Sequence, residues 1–238
     1  MISVCLATHN GEKFISEQLK SILPQLDEHD EVIISDDNST DRTLHIVRSF
    51  DDERIIVLGP NFFSNPVKNF EHALNHVKGD VVFLSDQDDI WHADKVKSMM
   101  EQFNRGYDLV VSDCTIVDND MNVLVPSYFD VHNSGEGFIK NLVRNGFMGC
   151  CMAFKRPILS DALPFPENLP MHDVWIGLIA EASYKVLFFK KQTLFYRQHA
   201  NNASATAEGV SSYSLSQKLM FRTRLIKHLV KRLILKNG

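Results

Sequence analysis

The chain has 238 residues, 44% of them hydrophobic and 23% charged, proportions that fit one large folded α/β domain and exclude a disordered chain. The four cysteines, Cys5, Cys114, Cys150 and Cys151, lack C-x-x-C spacing and lie in apolar segments, which argues against disulfides or a zinc site and for buried thiols in a reducing compartment. Net charge is −5, yet residues 213–238 hold seven cations and no acid, leaving roughly −12 for the body, a balance that argues against nucleic acid as a partner.

In chain order, residues 2–7 form a short apolar run that predicts a strand, ending in the polar loop Thr8-His9-Asn10-Gly11. Residues 12–23 carry Phe14, Ile15, Leu19, Ile22 and Leu23 at helical spacing, and Pro24 closes that helix. The unit repeats: a strand at 31–35 stops at Asp36-Asp37-Asn38-Ser39-Thr40-Asp41, whose cap-forming residues launch a helix to Phe50. A third strand at 54–58 and helix at 66–77 precede a fourth strand at 80–84, which delivers Ser85-Asp86-Gln87-Asp88-Asp89. Alternating strand and helix with short connections predicts a mostly parallel sheet covered by helices, with its functional groups at the carboxyl ends of the strands.

Regular alternation then stops. A helix is expected at 93–103, strands at 108–117 and 123–125, a helix at 136–143, a buried strand at 147–154, a helix at 174–182 and closing strands at 185–189 and 193–196. Residues 200–212 suit a mobile loop. The last helix, 215–235, is basic and amphipathic, with Leu215, Leu219, Ile226, Leu229, Val230 and Leu233 on one face, Arg222 intruding on it, and Arg224, Lys227 and Lys231 opposite. It suits docking on its own domain, a homodimer contact or an anionic membrane surface. The expected division is a domain at 1–212 and this helix at 213–238. With no leader pattern and no run of about 18 apolar residues, the expected location is cytoplasmic, peripheral on the inner membrane if the helix binds lipid.

Three acids in four residues repel one another, and a hard divalent cation with diphosphate oxygens completing its shell accounts for more of them than helix capping does. Asp88 or Asp89 also suits a cap for the helix near His92, Asp36-Asp37 suits the start of its helix, and Asp173 suits the cap of the helix that follows it. Asp173 otherwise suits a general base, and His199 and Arg197 suit a metal ligand and a phosphate partner.

Taken together, Ala7-Thr8-His9-Asn10-Gly11, Ser35-Asp36-Asp37-Asn38-Ser39-Thr40-Asp41, Ser85-Asp86-Gln87-Asp88-Asp89, His172-Asp173 and Arg197-Gln198-His199 resemble, in that order, the inverting family-two glycosyltransferases of the GT-A fold. The form Asp86-Gln87-Asp88-Asp89-Ile90-Trp91 is most similar to members that build bacterial surface polysaccharides, often rhamnosyl- or galactosyltransferases. The resemblance implies a single nucleotide-diphospho-sugar-binding domain. Ala7, Thr8, Asn10, Asp37 and Asp86 would bind the nucleotide, Asp88 and His199 would hold Mn²⁺ or Mg²⁺, and Asp173 would be the catalytic base, with Asp89, Arg197 and Trp91 as further candidates. The implied donor is a UDP- or dTDP-linked sugar and the acceptor a saccharide or lipid-diphosphate-saccharide of O-antigen or capsule synthesis. The alternatives are a sugar nucleotidyltransferase, for which the Gly-rich loop after the first strand is missing, and a non-catalytic nucleotide- or saccharide-binding module.

Overall fold

The computed structural model describes residues 1–199 and 214–235. Its organising strand is β1 (Ile2–Thr8), flanked in parallel by β2 (Glu31–Asp36) and β4 (Val81–Asp86), with β3 (Ile55–Leu58) outside β2. These strands are near-continuous apolar runs because helices cover both faces. Helices α1 (Ile15–Ile22), α2 (Thr43–Arg48) and α3 (Pro66–Leu74) connect them. The N terminus of α3 is set by Asn65, whose side chain accepts from the amides of Val67 and Lys68, with Pro66 in the first turn where no amide is needed.

The full order is β3-β2-β1-β4-β8 (Met152–Lys155)-β6 (Leu109–Val117)-β9 (Val186–Arg197)-β5 (Ile90–Trp91), with β7 (Val123–Val125) on β6. The expected parallel pairing holds for β3-β2-β1-β4 and for β6 with β9 (Val186–Arg197). Strand β8 (Met152–Lys155) runs antiparallel to both β4 and β6, and β5 (Ile90–Trp91) is antiparallel to β9, so the sheet is mixed. The reversal comes from the excursion after β7: α5 (Tyr128–His132), α6 (Phe138–Val143) and a 3₁₀ turn at Gly149–Cys151 bring the chain back from the opposite end. That turn replaces the first half of the strand expected at 147–154.

The two expected closing strands are one, β9, whose register against β6 shifts near Asp113 before its end crosses to pair Leu194 with Trp91 and Phe195 with Ile90. Elements β5, α5 and α7 (Pro157–Ala162) were not expected, since each is too short to show a period. Helix α4 (Lys95–Asn104) begins after Asp94, so neither Asp88 nor Asp89 caps it.

Helix α8 (His172–Ser183) buries Trp175, Leu178 and Ile179 as expected, but every residue from His172 to Ala180 is buried. At Gly177 it meets Phe147 so closely that an added Cβ would lie 2.5 Å from the ring. Helix α9 (Leu215–Leu235) docks through Leu225 and Leu229. Arg232 stacks over Trp175 and donates to the carbonyls of Leu163 and Pro164. Its docked face is rotated from the one the hydrophobic spacing indicated, because Leu219, Ile226 and Val230 are exposed. All four cysteines are free and buried, as expected. The loop expected at 200–212 lies outside the described residues.

Candidate active site

Strand register assembles the site. Ala7 pairs with both Ser35 and Asp86, and Thr8 pairs with Asp36, so the loops after β1, β2 and β4 leave the sheet level with one another. Side chains then tie them together. The amide of His9 donates to Gln87 Oε1 (2.9 Å), and Gln87 Nε2 donates to the His9 carbonyl (3.0 Å). Gly11 leaves room for this clasp, since a Cβ there would stand 2.3 Å from Gln87 Oε1. Asn10 accepts from the Thr40 amide and its own amide donates to Ser39 Oγ. Thr8 Oγ1 donates to Asp36 (2.8 Å), which also accepts from Ser39.

Asp37 has a structural task of its own, accepting the amides of Phe63, Ser64 and Asn65 at 2.7 to 3.1 Å. A carboxylate offers about four acceptor positions, so Asp37 organises the loop before α3 and keeps capacity for a further donor. From beneath, buried Gln18 donates to Ser85 Oγ (2.7 Å) and the Asp86 carbonyl, fixing where β4 ends.

The acidic loop divides in space. Asp88 Oδ2 lies 2.8 Å from His199 Nε2, and the imidazole stacks on Phe14. Asp89 is buried, its Oδ1 meets the Arg197 amide (3.4 Å), and its Oδ2 has no hydrogen-bond partner among the described residues. Burial, then Asp88 and Asp86, push the Asp89 carboxyl well above the usual carboxylate range. Half-buried Asp86 is raised to about 7 by burial, then by Asp88 and Asp173. An unpartnered Asp89 oxygen and carboxylates crowded at such cost fit a hard divalent cation. Cys150 offers its sulfur within 4.8 Å of Asp86 and Asp89 oxygens, but a hydrogen bond with Cys151 and burial keep the thiol protonated, and hard cations prefer oxygen. The fitting donors are the carboxylates and His199.

Two candidates take other roles. Arg197, expected to meet phosphate, is buried and braces the acidic loop: Nε donates to the Asp88 carbonyl, Nη1 to the Asn119 carbonyl and Nη2 to Glu17 (2.6 Å). Trp91 is buried against Phe83 with the Lys95 ammonium over its ring at 4.4 Å, so it supports the loop from behind. Lys95 is wholly buried, donates to the Cys150 carbonyl (2.6 Å), and its charge draws Asp86 and Asp89 downward.

Asp173 sits in the first turn of α8 and accepts the Val174 amide (2.6 Å). Burial raises its carboxyl to about 6. Its charge raises Asp86, which puts it beside the same crevice, while it shares no described hydrogen bond with Asp88 or His199. Neighbouring His172 is buried, stacked on Phe70, and held down to about 3 by burial. Gln18, Gln87 and Lys95 were missed from sequence. For two of them a signal existed, because Gln18 interrupts the apolar stripe of α1 and Lys95 that of α4.

A parallel half-sheet that reverses after β4, with an acidic cluster at its carboxyl edge, is the GT-A-like arrangement of the glycosyltransferases. The chain belongs to Glycosyl transferase family 2, which it matches over residues 3–163. It is 32% identical over 225 residues to a dTDP-rhamnosyl transferase of Shigella flexneri, covering 83% of this chain and 72% of the relative. It is also 32% identical over 185 residues to an Escherichia coli UDP-Glc:α-D-GlcNAc-diphosphoundecaprenol β-1,3-glucosyltransferase, covering 76% and 70%. The fold is similar to that of Staphylococcus aureus TarS solved with UDP-GlcNAc, at a TM-score of 0.68 and 18% identity over 97% of this chain and 72% of that one.

Proposed function

We propose that this glycosyltransferase moves a sugar from a UDP- or dTDP-linked donor, with inversion at the anomeric carbon, onto a saccharide hydroxyl of a lipid-diphosphate intermediate in surface-polysaccharide assembly. The observation that carries the reading is the separation of roles within one crevice. Asp86, Asp88, Asp89 and His199 cluster at the end of β4, whereas Asp173 stands apart on α8, near enough to repel Asp86. The names of the relatives support the donor and acceptor classes.

In this reading Ala7, Thr8, Asn10 and Asp37 line the nucleotide's place, and Asp86 faces its ribose. Asp88 and His199, with Asp86 and Asp89 beside them, would hold Mn²⁺ or Mg²⁺. That cation would supply charge stabilisation for the leaving diphosphate. Asp173 accepts the proton of the attacking hydroxyl, and a carboxyl raised to about 6 is a stronger base than a free one while still ionised at neutral pH. Attack from the Asp173 side, opposite the diphosphate, inverts the anomeric centre. Arg197 and Lys95 hold the acidic loop in place.

The test is release of nucleoside diphosphate from UDP- and dTDP-sugars with a polyprenyl-diphosphate saccharide acceptor, with Mn²⁺ or Mg²⁺ and with chelator. Turnover is expected only with metal and is expected to fall about 100-fold or more in Asp88→Asn, a loss of the size seen when electrostatic stabilisation is removed. Full activity in chelator or in that variant overturns the metal reading. Nucleotide binding without turnover across the donor panel overturns the enzymatic one.

A further inference from the structure

Helix α9 has three faces, and only one is accounted for by the fold. Leu225 and Leu229 are buried against the body. Beside them lies a strip formed by Leu219, Ile226 and Val230, which are 65%, 44% and 49% exposed and share one side of the helix by their spacing of seven and four residues. Arg222, between this strip and the docked face, donates through Nε (2.8 Å) and Nη2 to the Val143 carbonyl at the end of α6. That contact brings the strip up to the outer face of α6, where Ile139 and Val143 are 69% and 60% exposed at i, i+4 spacing. Two elements far apart in sequence, tied by the Arg222–Val143 contact, thus present five exposed large apolar side chains to solvent.

The charges around it select the occupant. Arg224, Lys227 and Lys231 on α9, Lys140 on α6 and Arg144 just after it are exposed, and residues 214–235 contain no acid. A second copy docking by this face would oppose these cations with their own counterparts. We propose that the α6–α9 surface docks on an anionic phospholipid bilayer, inserting its apolar strip among the acyl chains while the flanking lysines and arginines meet lipid phosphates. No helix among the described residues is long and apolar enough to span a membrane, so attachment is peripheral. The chain leaving α6 leads through residues 144–148 to Gly149, which lies beside His172 and Asp173. The inference stands on this surface and not on the reaction.

Sedimentation with vesicles tests it, using the full chain with phosphatidylglycerol–phosphatidylcholine mixtures and with phosphatidylcholine alone. Three variants separate the contributions: Leu219→Gln/Ile226→Gln/Val230→Gln, Ile139→Gln/Val143→Gln and Lys227→Glu/Lys231→Glu. All seven positions are exposed, so thermal midpoints should stay near wild type and report that the fold is intact. The expected result is preference for the anionic vesicles, weakened about tenfold or more by each variant. Loss in the α6 pair is the result an isolated basic tail would not give. The proposal is overturned by absence of binding, by equal binding to both vesicle types, or by wild-type binding in the α6 pair. A concentration-dependent dimer that the triple variant abolishes also overturns it and assigns the surface to a second copy.

Discussion

Replacing Asp173 by asparagine removes a charge that its surroundings resist. The carboxyl is 6% exposed and burial lifts it from 3.8 to about 6. At 1.36 kcal/mol per pH unit, this corresponds to about 3 kcal/mol of unfavourable ionisation in the folded state. Because the folded value lies above the unfolded one, the native protein holds a proton between these limits that the unfolded chain has lost. Stability from this group is therefore fully present below about pH 3.8 and is lost as pH rises through about 6. Asparagine does not titrate. Its amide hydrogens change stability by a fixed amount, so the informative quantity is the change in the difference between the two proteins. Urea unfolding in chelator should show the variant gaining about 2.4 kcal/mol on wild type between about pH 4 and about pH 7.5. The same variant should lose turnover by about 10²- to 10⁴-fold, as expected when a general base is removed. The wild-type rate should climb with pH through about 6, where Asp173 ionises. Parallel stability profiles for the two proteins would show that ionising Asp173 costs nothing on folding, and the case for a poised base on α8 would fail with them.

Gly177→Ala should destabilise by about 1 to 3 kcal/mol, since the new methyl meets the Phe147 ring, itself 1% exposed and unable to retreat. Turnover should fall as well, because Phe147 leads into the turn at Gly149 beside Asp173; an unchanged urea midpoint would show that the α8 contact is slack. Arg197→Lys keeps the charge but loses the fork that reaches the Asp88 carbonyl, the Asn119 carbonyl and Glu17 together. A several-fold higher Mn²⁺ requirement with an unchanged KM for the acceptor is expected, whereas a wild-type metal titration would remove the bracing role.

The first half of the fold could be read from sequence because its strands and helices are long enough to show their periods and its loops carry cap-forming residues. The acidic loop and Asp173 stood out for a similar reason, since carboxylates placed at strand and helix ends declare themselves locally, whereas His199 became a candidate only through the acidic cluster elsewhere in the chain and the family resemblance. What could not be read was decided by pairing across the chain. Trp91 follows the acidic loop in sequence, yet its pairing with Leu194 turns it inward, a fact held by β9 a hundred residues later. Arg197 looked free to meet phosphate because Glu17 and Asn119, which take its donors, are remote in sequence. The face α9 buries could not be read because hydrophobic spacing counts apolar residues without saying which of two apolar strips meets protein.

The Gln87 clasp bears on how substrate is recognised. By donating to and accepting from the backbone of His9, the Gln87 side chain imitates one rung of a sheet beyond the point where β1 and β4 have ended. The loop that would meet the nucleotide and the loop that would meet the cation are therefore ordered as one unit. Ordering either loop lowers the entropic cost of ordering the other. Nucleotide and cation should each tighten the binding of the other by the same factor, and loosening that single amide should uncouple them before it abolishes either.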